Sequence, residues 1–250
     1  MSRAPDLALI GGTGLYRWPG LADMERHALD TPYGHPSDSV KIGRLGGRRV
    51  AFLARHGESH TIPPHRVNYR ANVWALHHLG ARRVVAINAV GGIRADMAPR
   101  VIAIPDQLID YSHGRLDSYC DVAGAEVRHV DFGAPYSAAL RGALLAAAGR
   151  SGVAVVDGGC YGVTQGPRLE TRAEIARLRR DGCDLVGMTG MPEAALAREL
   201  ALDYACVALV ANWAAGCGDT DEITLDEVLA NVADATARLV PLVEALLEAA

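Results

Sequence analysis

Apolar runs of strand length recur along the chain, and several of them are continuous rather than alternating. A continuous run is typical of a central strand whose sheet is covered on both faces. The runs are DLALI at 6–10, VAFLA at 50–54, RVVAINAV at 83–90, VIAI at 101–104, DLVGM at 184–188 and CVALVA at 206–211. Helical patterns fall between them, and this alternation of strand and helix favours an α/β fold.

Four segments predict helices, at 68–80, 171–182, 192–200 and 224–250. Thr171–Glu174 and Thr224–Glu227 match the capping box that begins a helix. Pro241 is expected to kink or divide the last helix. The segment 105–135 has no clear period, and we expect it to form excursions from the main sheet. The chain contains neither repeats nor linkers, so a single domain over 1–250 is expected.

Composition narrows the class of protein. Half of the 250 residues are hydrophobic, which is enough for a sizeable core. A net charge of −4 provides no basic footprint, so nucleic acid is not expected as the main partner. The N-terminal apolar run is too short for a signal peptide or a membrane span. Five scattered cysteines without a CxxC pair argue against a disulfide framework or a zinc site and fit a reducing cytoplasm.

Glycines and polar residues follow the predicted strands at the points where the strands end. They are the glycine-rich 11–14 after DLALI, Arg55 and His56 after VAFLA, Ala89 after RVVAIN, Thr189 after DLVGM and Asn212 after CVALVA. In α/β sheets, ligands bind beyond the carboxyl ends of the strands. The five strand ends therefore predict one convergent site.

The GGTG stretch at 11–14 has three interpretations. It is a tight strand-to-helix turn, a dinucleotide-binding turn, or an anion nest in which backbone N–H groups and the Thr13 hydroxyl face a phosphate. The GxGxxG spacing of a dinucleotide site fails after Gly14. The neighbouring motif RHG favours the phosphate interpretation, since Arg55 presents a planar, permanently charged fork and His56 adds a donor.

Other candidate chemistry is sparse. The histidines match no zinc template, so no metal site is expected, and His60 and His65 are expected at the mouth of the pocket. Glu170 is either an acid or base within the site or a partner for the N-terminal dipole of the helix that follows it. No GxSxG elbow is present, and no cysteine has a neighbouring histidine to activate it.

Six motifs, in order across nearly the whole chain, carry a family resemblance. They are IGGTGLY, RHG..H..PPHRVNYRAN, NAVGGI, DQLIDYS, TQGPRLET and GMTGMPEAALARE. Together they resemble the trimeric purine nucleoside phosphorylase and methylthioadenosine phosphorylase family, and within it the bacterial branch that acts on S-methyl-5′-thioinosine. The resemblance implies a single α/β domain of the phosphorylase/hydrolase-like type, with a central mixed, partly barrel-like β-sheet flanked by helices.

The resemblance also implies a reaction, purine salvage by phosphorolysis. Such enzymes cleave the N-glycosidic bond of a purine nucleoside with inorganic phosphate as co-substrate and use no metal or organic cofactor. The phosphate positions of the family match Thr13, Arg55, His56, Ala89 and Thr189. Those that contact the nucleoside match Met188, Asn212, Trp213 and Ala214, with Asn212 stabilising the leaving base. His129 matches a position that closes the pocket of a neighbouring subunit, which implies a homotrimer.

Substrate choice is implied by three positions. Adenine-type members carry two aspartates where this chain has Asn212 and Ala214, and a small hydroxyl residue where it has Glu170. An amide suits the two acceptors of a 6-oxopurine edge, and a carboxylate suits its N1–H. Leu225 stands where other members place a histidine for the 5′-hydroxyl, so it suits a methylthio group, although it could simply pack the helix start. The expected substrate is S-methyl-5′-thioinosine; broader use of 6-oxopurine nucleosides or methylthioadenosine is the alternative.

Overall fold

A computed structural model of the protein describes residues 3–122, 124–218 and 222–249. Eleven strands and five α-helices lie within these ranges. The strands are β1 Leu7–Gly11, β2 Ala22–His27, β3 Val40–Leu45, β4 Arg48–Ala54, β5 Arg83–Gly92, β6 Ile102–Ile104, β7 Gln107–Asp110, β8 Val156–Asp157, β9 Cys160–Val163, β10 Leu185–Gly187 and β11 Asp203–Trp213. The helices are α1 Tyr69–His78, α2 Ala138–Ser151, α3 Arg172–Arg180, α4 Glu193–Glu199 and α5 Leu225–Glu248, and a 3₁₀ turn spans Pro64–Arg66.

The sheet is organised around the long strand β5, which pairs with three others. β11 runs parallel to it along its whole length, and β1 runs parallel to its first half on the other side. Beyond the end of β1, the last two residues of β5, Gly91 and Gly92, pair with β10, which runs antiparallel. From β1 the sheet continues outward through β4 and β3 to β2.

A closed circuit of strands gives the sheet its partial barrel. β11 pairs with β6, and β6 leads directly into β7. β7 pairs with β9, β9 pairs with β10, and β10 returns to β5. The α/β class with a mixed, partly barrel-like sheet is thereby confirmed.

Helices cover both faces of the sheet, and the strands bury side chains toward both. On one face, Leu9 and Val207 belong to a core that contains Leu144 of α2 and Leu239 of α5. On the other face, the adjacent strand residues belong to a second core together with α1 and α4. Because successive strand residues face opposite cores, every position of a central strand is buried, and the central strands are therefore continuous apolar runs. Each fully buried leucine or isoleucine contributes about 1.5–3 kcal/mol.

Most of the predicted boundaries hold. The capping box of α3 is complete, because Thr171 accepts from the backbone of Glu174 and the Glu174 side chain accepts in return. Pro241 does not divide the last helix, since α5 is continuous through it. Pro241 lies on the exposed side of the helix, and Leu239 and Leu242 on either side of it are fully buried. Packing of the buried face therefore outweighs the one lost backbone hydrogen bond.

Several elements carried no usable sequence signal. α2 is rich in alanine and contains Gly142 and Gly149, so it has no sharp polar and apolar faces. β2 is almost entirely exposed, and it lies at the edge of the sheet. β7 lies within the segment 105–135 that was expected to form excursions, but it joins the main sheet by pairing with β9.

The chain after β1 excludes two of the interpretations of GGTG. Within the described residues, no helix begins between β1 and β2. The stretch is neither a tight strand-to-helix turn nor the strand–turn–helix of a dinucleotide site. It is an irregular loop, in which Gly14 has a φ of +76° and the Leu15 N–H donates to the carbonyl of Gly12. In the parts of the chain that the structure covers, no helix is both long and apolar enough to cross a membrane.

Candidate active site

A cavity of about 500 Å³ opens where β1, β4, β5, β10 and β11 end. This volume is in the range of small-molecule sites. The wall comprises Gly12 and Thr13, His56, residues 60–64, residues 89–91, Pro167, Leu169 and Glu170, residues 186–189, Ala211, Asn212, Ala214 and Ala215, residues 223–225, and Val228. The structure thus brings the ends of all five strands to one place. β10 contributes its carboxyl end although it is antiparallel to β5, because it pairs only with the last residues of β5.

Four of the five predicted phosphate positions, Thr13, His56, Ala89 and Thr189, line the cavity. The amide of Asn88, buried beneath the wall, donates to the Thr189 hydroxyl oxygen at 2.7 Å. With its oxygen accepting from Asn88, the Thr189 hydroxyl is free to donate its own proton into the cavity. Asn88 was not among the predicted site residues, although an amide within an apolar strand is a visible signal.

Arg55 lies behind this wall rather than on it. Its side chain is 0 % exposed, and its Nε and Nη2 each donate at 2.8 Å to the Glu193 carboxylate. Nη1 donates to the carbonyl of Ile87, and a Cβ built on Gly12 would lie 3.1 Å from Nη1. The guanidinium therefore supports the glycine loop from beneath, and a side chain at Gly12 would collide with it or with the Ile87 carbonyl.

The Arg55 charge is fixed by its partner. Burial alone lowers the pKa of the guanidinium, but the Glu193 carboxylate more than offsets this and holds the pKa above its ordinary value. The Tyr204 hydroxyl donates to the same carboxylate at 2.8 Å. Sequence reasoning missed Glu193 and Tyr204, because neither lies near Arg55 in the chain.

His56 differs from the donor that the sequence led us to expect. Its Nδ1 lies 2.8 Å from the carbonyl oxygen of Ile62, and a carbonyl only accepts, so Nδ1 carries a proton. Burial, followed by the charge of Arg55, lowers the pKa of His56 to about 4, and the ring is neutral at pH 7. A neutral ring with its proton on Nδ1 has an acceptor at Nε2. His60 also lines the cavity, whereas His65 lies in the adjacent 3₁₀ turn outside the wall.

A bulge in β11 places the amide of Asn212 on the cavity wall. Val210 pairs with Val90 and Asn212 with Gly91, so Ala211 has no partner residue in β5. Such bulges bend a strand and re-aim its side chains, often next to functional sites. Asn212 and Ala214 line the cavity, and the Asn212 amide donates to its neighbour's carbonyl, that of Trp213, at 2.7 Å.

Trp213 was expected among the substrate-binding residues, but its side chain is not part of this wall. The indole packs on Gly218, where an added Cβ would lie 2.4 Å from the ring. Successive side chains of a strand point to opposite faces, so Trp213 faces away from the cavity that Asn212 and Ala214 line. Its contribution here is the carbonyl that holds the Asn212 amide.

Glu170 lies on the wall immediately before the N-cap of α3. The Thr164 hydroxyl donates to its Oε1 at 2.5 Å. The carboxylate is therefore oriented by a side chain of the preceding loop, in addition to its place near the start of the helix. It can accept a hydrogen bond from a ligand in the cavity.

Arg115 ties two parts of the wall together from outside it. Its guanidinium donates to the carbonyls of Thr164 and Gln165 on one side and to those of Met188 and Met191 on the other. The guanidinium also lies over the ring of Tyr69, 5.5 Å from its centroid. A single arginine in an aperiodic segment gives no sequence signal for this role.

The remaining predicted residues occupy separate places. Met188 lines the cavity, and its Sδ would lie 2.5 Å from a Cβ on Gly166. Leu225 is at the opening, at the start of α5, and is 67 % exposed. His129 is exposed in the irregular stretch between β7 and α2 and is not on this wall. Within the described ranges, no three His, Cys, Asp or Glu side chains are grouped to hold a metal ion.

The chain is similar to two phosphorylases by sequence and to a third by structure. A protein of Xanthomonas campestris pv. campestris named probable S-methyl-5′-thioinosine phosphorylase is 63% identical over 237 residues, which cover 95% of each chain. A probable 6-oxopurine nucleoside phosphorylase of Thermococcus kodakarensis is 46% identical over 232 residues, covering 90% of this chain and 85% of its own. The solved structure of methylthioadenosine phosphorylase from Schistosoma mansoni in complex with adenine has a TM-score of 0.92 at 29% identity, covering 99% of this chain and 92% of its own.

The family model of the phosphorylase superfamily matches residues 6–248, nearly the whole chain. The fold, the cavity at the strand ends and these relatives agree with that match. The chain belongs to the phosphorylase superfamily.

Proposed function

We propose that this protein cleaves S-methyl-5′-thioinosine with inorganic phosphate, releasing hypoxanthine and 5-methylthioribose 1-phosphate. The observation that carries the proposal is the set of groups on one cavity wall. Glu170 and Asn212 face the cavity, Ala214 stands where a second carboxylate would mark an adenine site, and Leu225 lies at the opening. The name of the Xanthomonas relative supports the same substrate.

The base end suits a 6-oxopurine. Hypoxanthine presents acceptors at O6 and N7 and a donor at N1. One N–H of the Asn212 amide donates to the Trp213 carbonyl, which fixes the orientation of the amide. The other N–H is then available to donate to the purine edge. The Glu170 carboxylate accepts from N1–H. Adenine has no proton at N1, so the Glu170 carboxylate would lose this hydrogen bond and keep only the one from the Thr164 hydroxyl. A hydrogen bond to a charged group contributes about 1.5–3 kcal/mol.

The reaction needs charge stabilisation more than covalent chemistry. A phosphate oxygen forms a bond to C1′ as the C1′–N9 bond breaks, and the bonding pair passes to the purine, which later takes a proton from water. The Asn212 N–H stabilises the negative charge that develops on the base. The Thr13 and Thr189 hydroxyls and the backbone N–H of Ala89 hold the phosphate, with the Arg55 charge behind the glycine loop.

The sugar and its 5′ end meet apolar groups. Met188 lies against the ribose, and Leu225 packs on the methylthio group. Burying a methyl thioether against a leucine discriminates by about 1–3 kcal/mol against a 5′-hydroxyl that finds no partner.

The proposal extends to the domain organisation, the cofactor requirement, the localisation and the assembly of the protein. The whole chain forms one nucleoside phosphorylase domain, works without a metal or organic cofactor, and resides in the cytoplasm. It assembles as a homotrimer in which His129 reaches the cavity of a neighbouring subunit. Light scattering on the purified protein tests the trimer, and a dimer or monomer at assay concentration would refute it.

A substrate panel with and without phosphate tests the activity. S-methyl-5′-thioinosine should have the highest kcat/KM, and turnover should require phosphate. Methylthioadenosine and inosine each change one end of the substrate and so test the base and 5′ assignments separately. Adenine release that is faster by about tenfold would refute the roles of Glu170 and Asn212.

A broader phosphorylase is the second candidate. The Thermococcus relative is named for 6-oxopurine nucleosides in general, and the Schistosoma structure is that of a methylthioadenosine phosphorylase. The partly open position of Leu225 favours this candidate at the 5′ end. Equal kcat/KM for inosine and S-methyl-5′-thioinosine would establish it.

A further inference from the structure

The ring of His56 is held between a backbone carbonyl and the cavity. Nδ1 donates to the Ile62 carbonyl at 2.8 Å, and His56 is only 4 % exposed although it forms part of the wall. The Ile62 carbonyl has no proton to give, so the ring keeps its proton on Nδ1 in either charge state. Nε2 is then the atom that decides whether an anion meets a donor or an acceptor.

The surroundings of His56 favour the neutral ring. The charged and titratable groups that act on it are Arg55, which is paired with Glu193, and His60, whose ring lies 4.9 Å away. Among the described residues, no carboxylate is one of the groups that shift the pKa of His56. Burial, together with a neighbouring cation, lowers the pKa of His56 to about 4.

We propose that His56 selects the co-substrate by its proton, so that the site takes hydrogen phosphate with its P–OH directed at Nε2 and discriminates against sulfate. The inference rests on the phosphate site of the proposed function. The HPO₄²⁻ ion carries the one proton that Nε2 needs as a partner. Whether that proton stays on the phosphate oxygen or moves to Nε2, the complex forms without taking a proton from water.

Sulfate has the same shape and charge but no proton at neutral pH. A sulfate oxygen would place its lone pair against the lone pair of Nε2, which is repulsive, unless the His56 ring first takes a proton from solvent. Sulfate binding should therefore be linked to the uptake of one proton. Since this uptake becomes harder as pH rises above the pKa of His56, sulfate affinity should fall about tenfold per pH unit.

Calorimetry on the nucleoside-free protein tests the proposal without any turnover. Phosphate or sulfate is titrated at about pH 8 in two buffers with different ionisation enthalpies, which reports the protons taken up on binding. We expect none for phosphate and close to one for sulfate. Competition against phosphate should show the sulfate Kd rising about tenfold per pH unit from pH 6.5 to 8.5, while the Kd for HPO₄²⁻ changes less than about twofold.

His56→Gln and His60→Gln are the matched variants. Glutamine at 56 can donate its own N–H, so proton uptake with sulfate should disappear and the two anions should bind alike. His60→Gln should keep the uptake. Thermal unfolding with and without phosphate shows whether each variant is folded, and the wild-type proton count stands without either variant.

Each other outcome counts against the proposal. Sulfate binding without proton uptake overturns the proposal. So does a sulfate Kd that is the same at about pH 6.5 and pH 8.5, or a failure of sulfate to compete with phosphate at either pH. If His60→Gln lost the proton uptake, the proton would be taken up by His60 and not by His56. No phosphate binding at all would overturn the proposed phosphate site as well, whereas normal anion linkage without S-methyl-5′-thioinosine turnover would overturn only the proposed substrate.

Discussion

Arg55 and Glu193 form a two-pronged ion pair in which neither side chain is exposed, although 138 positions separate them in the chain. The pair lies directly beneath the glycine loop, and Tyr204 donates to the same carboxylate. It joins the end of β4 to the start of α4, so the loop beside the cavity rests on a contact that only the folded chain can form.

Removal of one partner should be costly. Glu193→Gln leaves the Arg55 charge buried and uncompensated, and we expect a loss of about 3–5 kcal/mol in the free energy of unfolding. Denaturation in urea measures the loss. Tyr204→Phe is the matched control, because it removes one hydrogen bond to the carboxylate and should cost about 1.5–3 kcal/mol. A smaller loss for Glu193→Gln than for Tyr204→Phe would contradict the assignment.

The base preference should move with the carboxylates. The double change Asn212→Asp and Ala214→Asp introduces acceptors for the 6-amino group of adenine and removes the amide donor to O6. The ratio of kcat/KM for methylthioadenosine over S-methyl-5′-thioinosine should rise by about tenfold or more, which corresponds to about 1.4 kcal/mol. Ala214→Asp alone keeps the amide and should shift the ratio less. An unchanged ratio in the double variant would refute this account of Asn212.

The 5′ preference should depend on the first residue of α5. Leu225→Gln replaces an apolar contact by a hydrogen-bonding group, so inosine should gain on S-methyl-5′-thioinosine by about tenfold in kcat/KM. Leu229, one helical turn further on, is partly exposed and is not part of the cavity wall. Leu229→Gln should leave the ratio unchanged. If both variants behave alike, Leu225 only packs the start of the helix.

Arg115 should affect selectivity through the loop that carries Thr164. Arg115→Lys keeps the charge but loses the planar fork that reaches carbonyls in two directions. Thr164 and, through it, Glu170 should loosen, and the preference for 6-oxopurines should fall by about tenfold, or 1.4 kcal/mol. Leu116→Gln changes the neighbouring exposed residue and should have no such effect. A lower Tm for Arg115→Lys with an unchanged purine ratio would restrict Arg115 to a structural role.

Local patterns in the sequence were sufficient for much of the fold. Continuous apolar runs identified the strands that are buried on both faces, and Thr171 marked the start of α3 because capping is a short-range hydrogen bond. Patterns failed where an element lacked an apolar face, as in β2, or where packing overruled a local preference, as at Pro241 in α5.

By itself, the sequence determined that polar groups end several buried strands and therefore meet at one edge of the sheet, because strand direction and burial are written in neighbouring residues. Only the tertiary structure decided which atom each group presents. The bulge at Ala211 turns Asn212 toward the cavity, the Ile62 carbonyl makes His56 an acceptor, and Glu193 holds Arg55 beneath the loop. These choices depend on contacts between residues distant in the chain or on backbone atoms, and neither leaves a pattern in the sequence.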